Sequence, residues 1–122
     1  MTELTHYIGG AHVKGTSGRF ADVYNPATGE VQAKVPLASA AEMSQAVEIA
    51  ETAQRAWGAV NPQRRARVMM KFVDLLNRDM EQLAEALSRE HGKTLPDAKG
   101  DVQRGLEVVE YCIGAPQMLK GE

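Results

Sequence analysis

Gly92-Lys93-Thr94 ends like a phosphate-binding loop. Such a loop needs a further glycine roughly five positions before its G-K-[ST], so that successive backbone N–H groups wrap the phosphates. Position 87 is Leu, inside a helical stripe, and no strand precedes it. Gly92 therefore reads as a helix C-cap. The single cysteine, Cys112, lies between Tyr111 and Ile113 with no basic neighbour to lower its pKa, so a buried, inert thiol is expected rather than a nucleophile. His6, His12 and His91 are scattered without metal-ligand spacing, and no metal is assigned. Arg64, Arg65, Arg67 and Lys71 form a small basic cluster. Nucleic-acid binding requires a wider basic face or interleaved aromatic residues, so the cluster reads as a solvated helix face. No G-x-G-x-x-G occurs. Spacing alone assembles no active site.

The elements that hold these residues change character near residue 39. Before it, short β segments alternate with turns. Tyr7-Ile8 and Ala11-His12-Val13 flank Gly9-Gly10, the composition of a tight hairpin. Gly15 to Gly18 is a loop, Phe20 to Tyr24 a strand, and Asn25-Pro26-Ala27-Thr28-Gly29 a turn. Val31, Ala33 and Val35 alternate with Gln32 and Lys34 as a half-buried strand, which Pro36 ends or places at an edge.

After residue 39 the period is helical. Ser39-x-x-Glu42 has the form of a capping box. Ala46, Val47, Ala50, Ala53 and Trp57 share one stripe, whose small residues suit close approach to a neighbour, and Gly58 is a plausible stop. Asn61-Pro62 opens a second helix, buried through Val68, Met69, Phe72, Val73, Leu75 and Leu76. Asn77 to Asp79 breaks or re-caps the chain. Met80, Leu83, Ala84 and Leu87 carry a third helix to Gly92, and Pro96 opens a fourth that runs to about Leu119. On this fourth helix Val102, Leu106, Val109 and Ile113 make one apolar face, while Arg104, Val108, Tyr111 and Ala115 make a second. A helix apolar on two sides is covered on both, or is an imperfectly amphipathic surface helix. The expected fold is α+β: β-hairpins over 1–38, then four helices over 39–122.

The 122 residues suit one modest domain rather than a two-domain enzyme. With 43% hydrophobic and 25% charged residues, the composition is that of an ordinary soluble domain. Sixteen acidic residues against fourteen basic give a net charge of -2, which argues against a nucleic-acid partner or an anionic membrane surface. No apolar run reaches the roughly 18 residues of a membrane helix, and MTELTHYIGG lacks the basic and apolar stretches of a signal peptide. One cysteine allows no internal disulfide and agrees with a cytoplasmic location.

Residues 7 to 121 resemble the N-terminal part of an aldehyde dehydrogenase. The resemblance rests on Tyr7-Ile8-Gly9-Gly10, on Tyr24-Asn25-Pro26-Ala27-Thr28-Gly29-Glu30, on Ala53-Gln54-x-Ala56-Trp57 and on Glu90-His91-Gly92-Lys93-Thr94. Gly92-Lys93-Thr94-Leu95, followed by Asp97-Ala98-x-Gly100-Asp101-Val102-x-Arg104-Gly105-Leu106-x-Val108-Val109-Glu110, resembles the CoA-acylating, methylmalonate-semialdehyde branch. In that branch a cysteine thiolate attacks the aldehyde of methylmalonate or malonate semialdehyde and hydride passes to NAD, leaving a thioester. Carbon dioxide is lost and CoA accepts the acyl group, giving propionyl-CoA or acetyl-CoA.

The resemblance implies that the nucleophilic cysteine, the oxyanion-hole Asn and the nucleotide-contacting sheet of the family have no counterpart in these residues. NAD and CoA are then cofactors of the parent enzyme, with none expected to bind this chain alone. Partners are the remainder of a homo-oligomeric dehydrogenase, or further copies of the chain through exposed helix faces. The fourth helix lines the mouth of the substrate tunnel in this family. The resemblance thus places Arg104 at the substrate carboxylate, which a guanidinium fork matches bidentately. The alternative is a surface arginine, or one ion-paired with a neighbour such as Glu107 or Glu110. For the whole chain three roles compete: a catalytically silent piece of the dehydrogenase, a non-enzymatic interaction module on the same scaffold, and a structural helical domain.

Overall fold

The computed structural model describes residues 2–121. Their contacts fall into two compact units, one up to Ala59 and one from Val60 onward. In the first unit, strands β1 (Thr2–Glu3), β4 (Phe20–Tyr24) and β5 (Val31–Pro36) form a three-stranded sheet, and β2 (His6–Ile8) pairs with β3 (Ala11–Val13) in a separate hairpin. The hairpin is as the sequence predicts. Ile8 faces Ala11 across Gly9 and Gly10, whose φ values of 61° and 81° are open to glycine at no steric cost.

The register of the larger sheet runs from Phe20 opposite Pro36 to Tyr24 opposite Val31, with an irregularity at Val23/Tyr24. Asp22 lies opposite Lys34, and their side chains form an ion pair at 3.1 Å. At the turn between these strands, Asn25 Oδ1 accepts from Ala27 N–H at 2.9 Å. Pro36 ends β5 without placing it at an edge, because β5 is the central strand. Its other neighbour is β1, which runs parallel to it through Thr2 and Glu3 opposite Ala33 and Lys34. Two residues carry no period, so β1 is invisible to sequence patterning.

Helix α1 (Ala40–Ala59) starts at the predicted capping box. Ser39 N–H donates to Glu42 Oε2 at 2.7 Å, and Glu42 N–H donates to Ser39 Oγ at 3.2 Å. Gly58 does not stop the helix. It lacks the left-handed φ of a C-cap, and the break comes at Asn61, whose extended ψ of 133° follows from the proline after it. No residue of α1 is buried, and its stripe is open at Val47 and Trp57.

The second unit holds α2 (Pro62–Arg78), α3 (Met80–His91), α4 (Leu95–Ile113) and a short α5 (Ala115–Met118). Asn61 Oδ1 accepts from Gln63 N–H at 2.8 Å and caps α2 as predicted. Asp79 N–H closes α2 on Leu75 O, and Asp79 O receives Leu83 N–H to begin α3. The core is made of Ala66, Ala84, Ala98 and Leu106. Small residues bring α2, α3 and α4 close together, so alanines rather than the large side chains become fully buried.

Two expectations fail here. Val68 is exposed, at 52%, because the inward line of α2 passes through Ala66, Met69, Val73 and Leu76, and Phe72, at 45%, stands at the margin of that line and reaches only open space between the helices. The last helix is also not continuous to Leu119. It breaks at Gly114, where Gly114 N–H turns back to Tyr111 O at 3.1 Å. Pro116 has no N–H for Cys112 O, and its ring opposes a straight continuation. No described helix is long and apolar enough to cross a membrane.

Candidate functional site

The turn from α3 into α4 gathers the polar side chains with chemical potential. Gly92 adopts φ 83°, and its N–H donates to Ser88 O at 2.8 Å, the predicted left-handed cap of α3. Ser88 Oγ donates to Lys93 O at 2.7 Å and holds the turn from the other side. Thr94 then caps α4. Its hydroxyl donates to Asp97 Oδ2 at 2.8 Å and accepts from Asp97 N–H at 3.4 Å. Pro96 fits the first turn, where its missing N–H costs nothing.

Lys93, at the end of this turn, reaches forward to α4 and pairs with the Asp101 carboxylate. Arg104 lies three residues further along the same helix. Lys93, Pro96, Asp97, Gly100, Asp101 and Arg104 line a concavity of about 300 Å³. The Lys93 hydrogen bond holds the Asp101 carboxyl below its ordinary value against an opposing desolvation, with smaller help from the charges of Lys93, Arg104 and His91. Arg104 is exposed and makes no salt bridge among the described residues, Glu107 and Glu110 included. A free guanidinium at the rim of a concavity can receive a carboxylate in a forked, charge-assisted pair.

A second concavity, of about 390 Å³, lies between α2, α3 and α4 and is lined by apolar groups including Phe72, Leu76, Val102 and Leu106. The predicted first face of α4 therefore points inward: Leu106 is buried and Val102, Val109 and Ile113 are half-buried. The second face stays open, with Val108 63% and Tyr111 71% exposed.

Cys112 is exposed, not buried as the sequence suggests, because it follows Val108 and Tyr111 on that open face. His12 takes part in the β2–β3 hairpin, with Thr5 Oγ1 2.9 Å from its Nδ1 and Tyr7 edge-on to its ring. No group of three or more metal-ligating side chains occurs among the described residues.

The profile of the aldehyde dehydrogenase family matches residues 12–122. The chain belongs to that family. It is 45% identical over 122 residues to malonate-semialdehyde dehydrogenases of Listeria monocytogenes and Pseudomonas aeruginosa, covering 100% of this chain but 25% and 24% of theirs. Two solved structures carry the same fold. A Sinorhizobium meliloti protein assigned as a methylmalonate-semialdehyde dehydrogenase, complexed with NAD, superposes with a TM-score of 0.93 at 63% identity over 96% of this chain and 24% of that one. The methylmalonate-semialdehyde dehydrogenase of Oceanimonas doudoroffii superposes with a TM-score of 0.95 at 43% identity, over 100% and 25%. The chain thus spans about a quarter of these relatives and corresponds to their N-terminal part. The family resemblance of the motifs holds, as does the α+β arrangement of hairpins followed by helices.

A pyrophosphate is bound in many dinucleotide sites by open N–H groups at a helix start. The start of α4 does not fit that role. Thr94 already caps it, and the Asp97 carboxylate stands in its first turn, where it repels a phosphate. Neither NAD nor CoA is therefore placed at this turn.

Proposed function

We propose that the chain is part of a CoA-acylating dehydrogenase acting on malonate or methylmalonate semialdehyde, and that it is silent alone. The supporting observation is the match to semialdehyde dehydrogenases along the entire chain. The parent reaction is the NAD-dependent oxidation of the semialdehyde with CoA to acetyl-CoA or propionyl-CoA and carbon dioxide. The parent works as a homo-oligomer in a reducing compartment such as the cytoplasm, which suits the single cysteine. The role of this chain is to form an outer helical layer and to present Arg104 to the substrate carboxylate. The exposed guanidinium beside the concavity of α4 supports that role, and the lack of an ion pair with Glu107 or Glu110 speaks against the ion-paired alternative, leaving a plain surface arginine as the competing reading.

The test is Arg104→Ala in a complete dehydrogenase containing this chain. kcat/KM for malonate semialdehyde is expected to fall by about tenfold or more, the scale of a charge-assisted pair. An uncharged aldehyde such as propanal keeps its rate within about twofold, because it has nothing for a guanidinium to hold. An equal fall for both substrates removes the carboxylate role.

The exposed stripes of α1 and of α4 favour one other reading, an interaction module that docks through these faces. NAD-dependent aldehyde oxidation by the 122-residue chain alone overturns the claim of silence.

A further inference from the structure

The carboxylates near Arg104 are each engaged by another group. Asp97 accepts from the Thr94 hydroxyl, Asp101 is held by the Lys93 ammonium, and Glu107 accepts from the Gln103 amide at 3.3 Å. On a helix, the partners within reach of position 104 lie three or four residues away. Those positions are Gly100, Asp101, Glu107 and Val108. Asp101 is the carboxylate that shares the Arg104 concavity and lies at i−3. Left without Lys93, it is the natural internal competitor for the guanidinium.

We infer that Lys93 is a positioning residue that occupies Asp101 and thereby keeps Arg104 free for the carboxylate of an incoming substrate. Lys93 is suited to this. Its side chain is 21% exposed against 45% for Asp101, so its stem is packed. Its backbone is anchored by Ser88 Oγ on one side and follows the left-handed Gly92 on the other. The G-K-T sequence thus supplies a fixed ammonium, not a phosphate cradle. A cation in this place also adds positive potential at the concavity. The inference rests on the assignment of Arg104 to the substrate carboxylate.

The experiment uses a complete dehydrogenase containing this chain, with malonate semialdehyde and propanal as paired substrates. Lys93→Met frees Asp101 to pair with Arg104. The KM for malonate semialdehyde is expected to rise about two- to fivefold, the range over which exposed helix pairs compete. kcat, and both constants for propanal, stay near their parent values. Lys93→Arg keeps the parent KM. Adding Asp101→Asn to Lys93→Met returns the KM to the parent value, which a packing defect at Lys93 does not do. If Lys93→Met fails to fold, Lys93→Gln is measured in its place. An unchanged KM, an equal rise for both substrates, or no rescue by Asp101→Asn overturns the inference. Arg104→Ala, run alongside, separates the two claims. If it discriminates between the substrates and Lys93→Met does not, only the role of Lys93 falls. If Arg104→Ala does not discriminate, both fall together.

Discussion

At Glu42 one carboxylate ties together two segments far apart in sequence. Its oxygens accept from Ser39 N–H within the capping box and from Thr16 N–H at 2.6 Å in the loop before β4. These bonds, that to Ser39 first and that to Thr16 next, lower its pKa from 4.5 to about 2, against a smaller opposing desolvation. A carboxyl with a depressed folded value stabilises the fold fully above its unfolded value, and that contribution is lost as pH falls through the folded one. The window is therefore from about 4.5 down to about 2. Glu42→Gln is expected to lower the melting temperature at pH 6, and the gap from the parent chain narrows as the pH is taken below 4.5 toward 2. Circular dichroism melts of the two chains check this. A gap that stays constant over that range shows that the ionised carboxylate is not the cause. The Ser39 half of the arrangement was legible from a four-residue spacing. The Thr16 half was not, because its partner lies 26 residues away and is brought in only by folding.

Helix α4 shows the same division at the scale of an element. Its apolar spacing predicts two faces, but spacing does not say which face meets α2 and α3. The structure buries the face of Leu106, at 3% exposure, and leaves that of Val108 open. Leu106→Ala is expected to destabilise the chain by about 3 kcal/mol, since the hole it leaves lies among three helices. Val108→Ala is expected to cost less than about 0.5 kcal/mol, as for other exposed positions. Urea denaturation of both variants measures the difference, and similar losses reject the assignment of faces. The ends of the helices divide likewise. Asn61 and Gly92 begin and end helices where their residue types predict, whereas of the break expected over 77–79 only Asp79 lies between helices, and its side chain caps neither. Gly58 and Gly114 break the simple rule in opposite directions, since the first is carried through by its helix while the second, aided by Pro116, breaks one.

Over the whole chain, large apolar side chains lie in the open. Trp57, Val68, Phe72, Val108, Tyr111 and Leu119 are all exposed, and the buried set is dominated by alanine. Contiguous exposed apolar surface drives association. The isolated chain is expected to sediment as larger species as its concentration rises, and a Val108→Glu, Tyr111→Glu double variant to do so less. Sedimentation velocity across a tenfold concentration range tests this. A parent chain that stays monomeric and melts cooperatively shows that these faces need no cover.

The sequence by itself determined the local devices and the family. Caps, turns and the hairpin depend on neighbouring residues, and the motifs from Tyr7 to Glu110 are dense enough to place the chain among aldehyde dehydrogenases. The pairing of β1 with β5, the openness of Cys112, the inward face of α4 and the capture of Asp101 by Lys93 were decided only by tertiary structure. Each depends on which surfaces meet across a turn or between elements, and local periodicity carries no record of that choice.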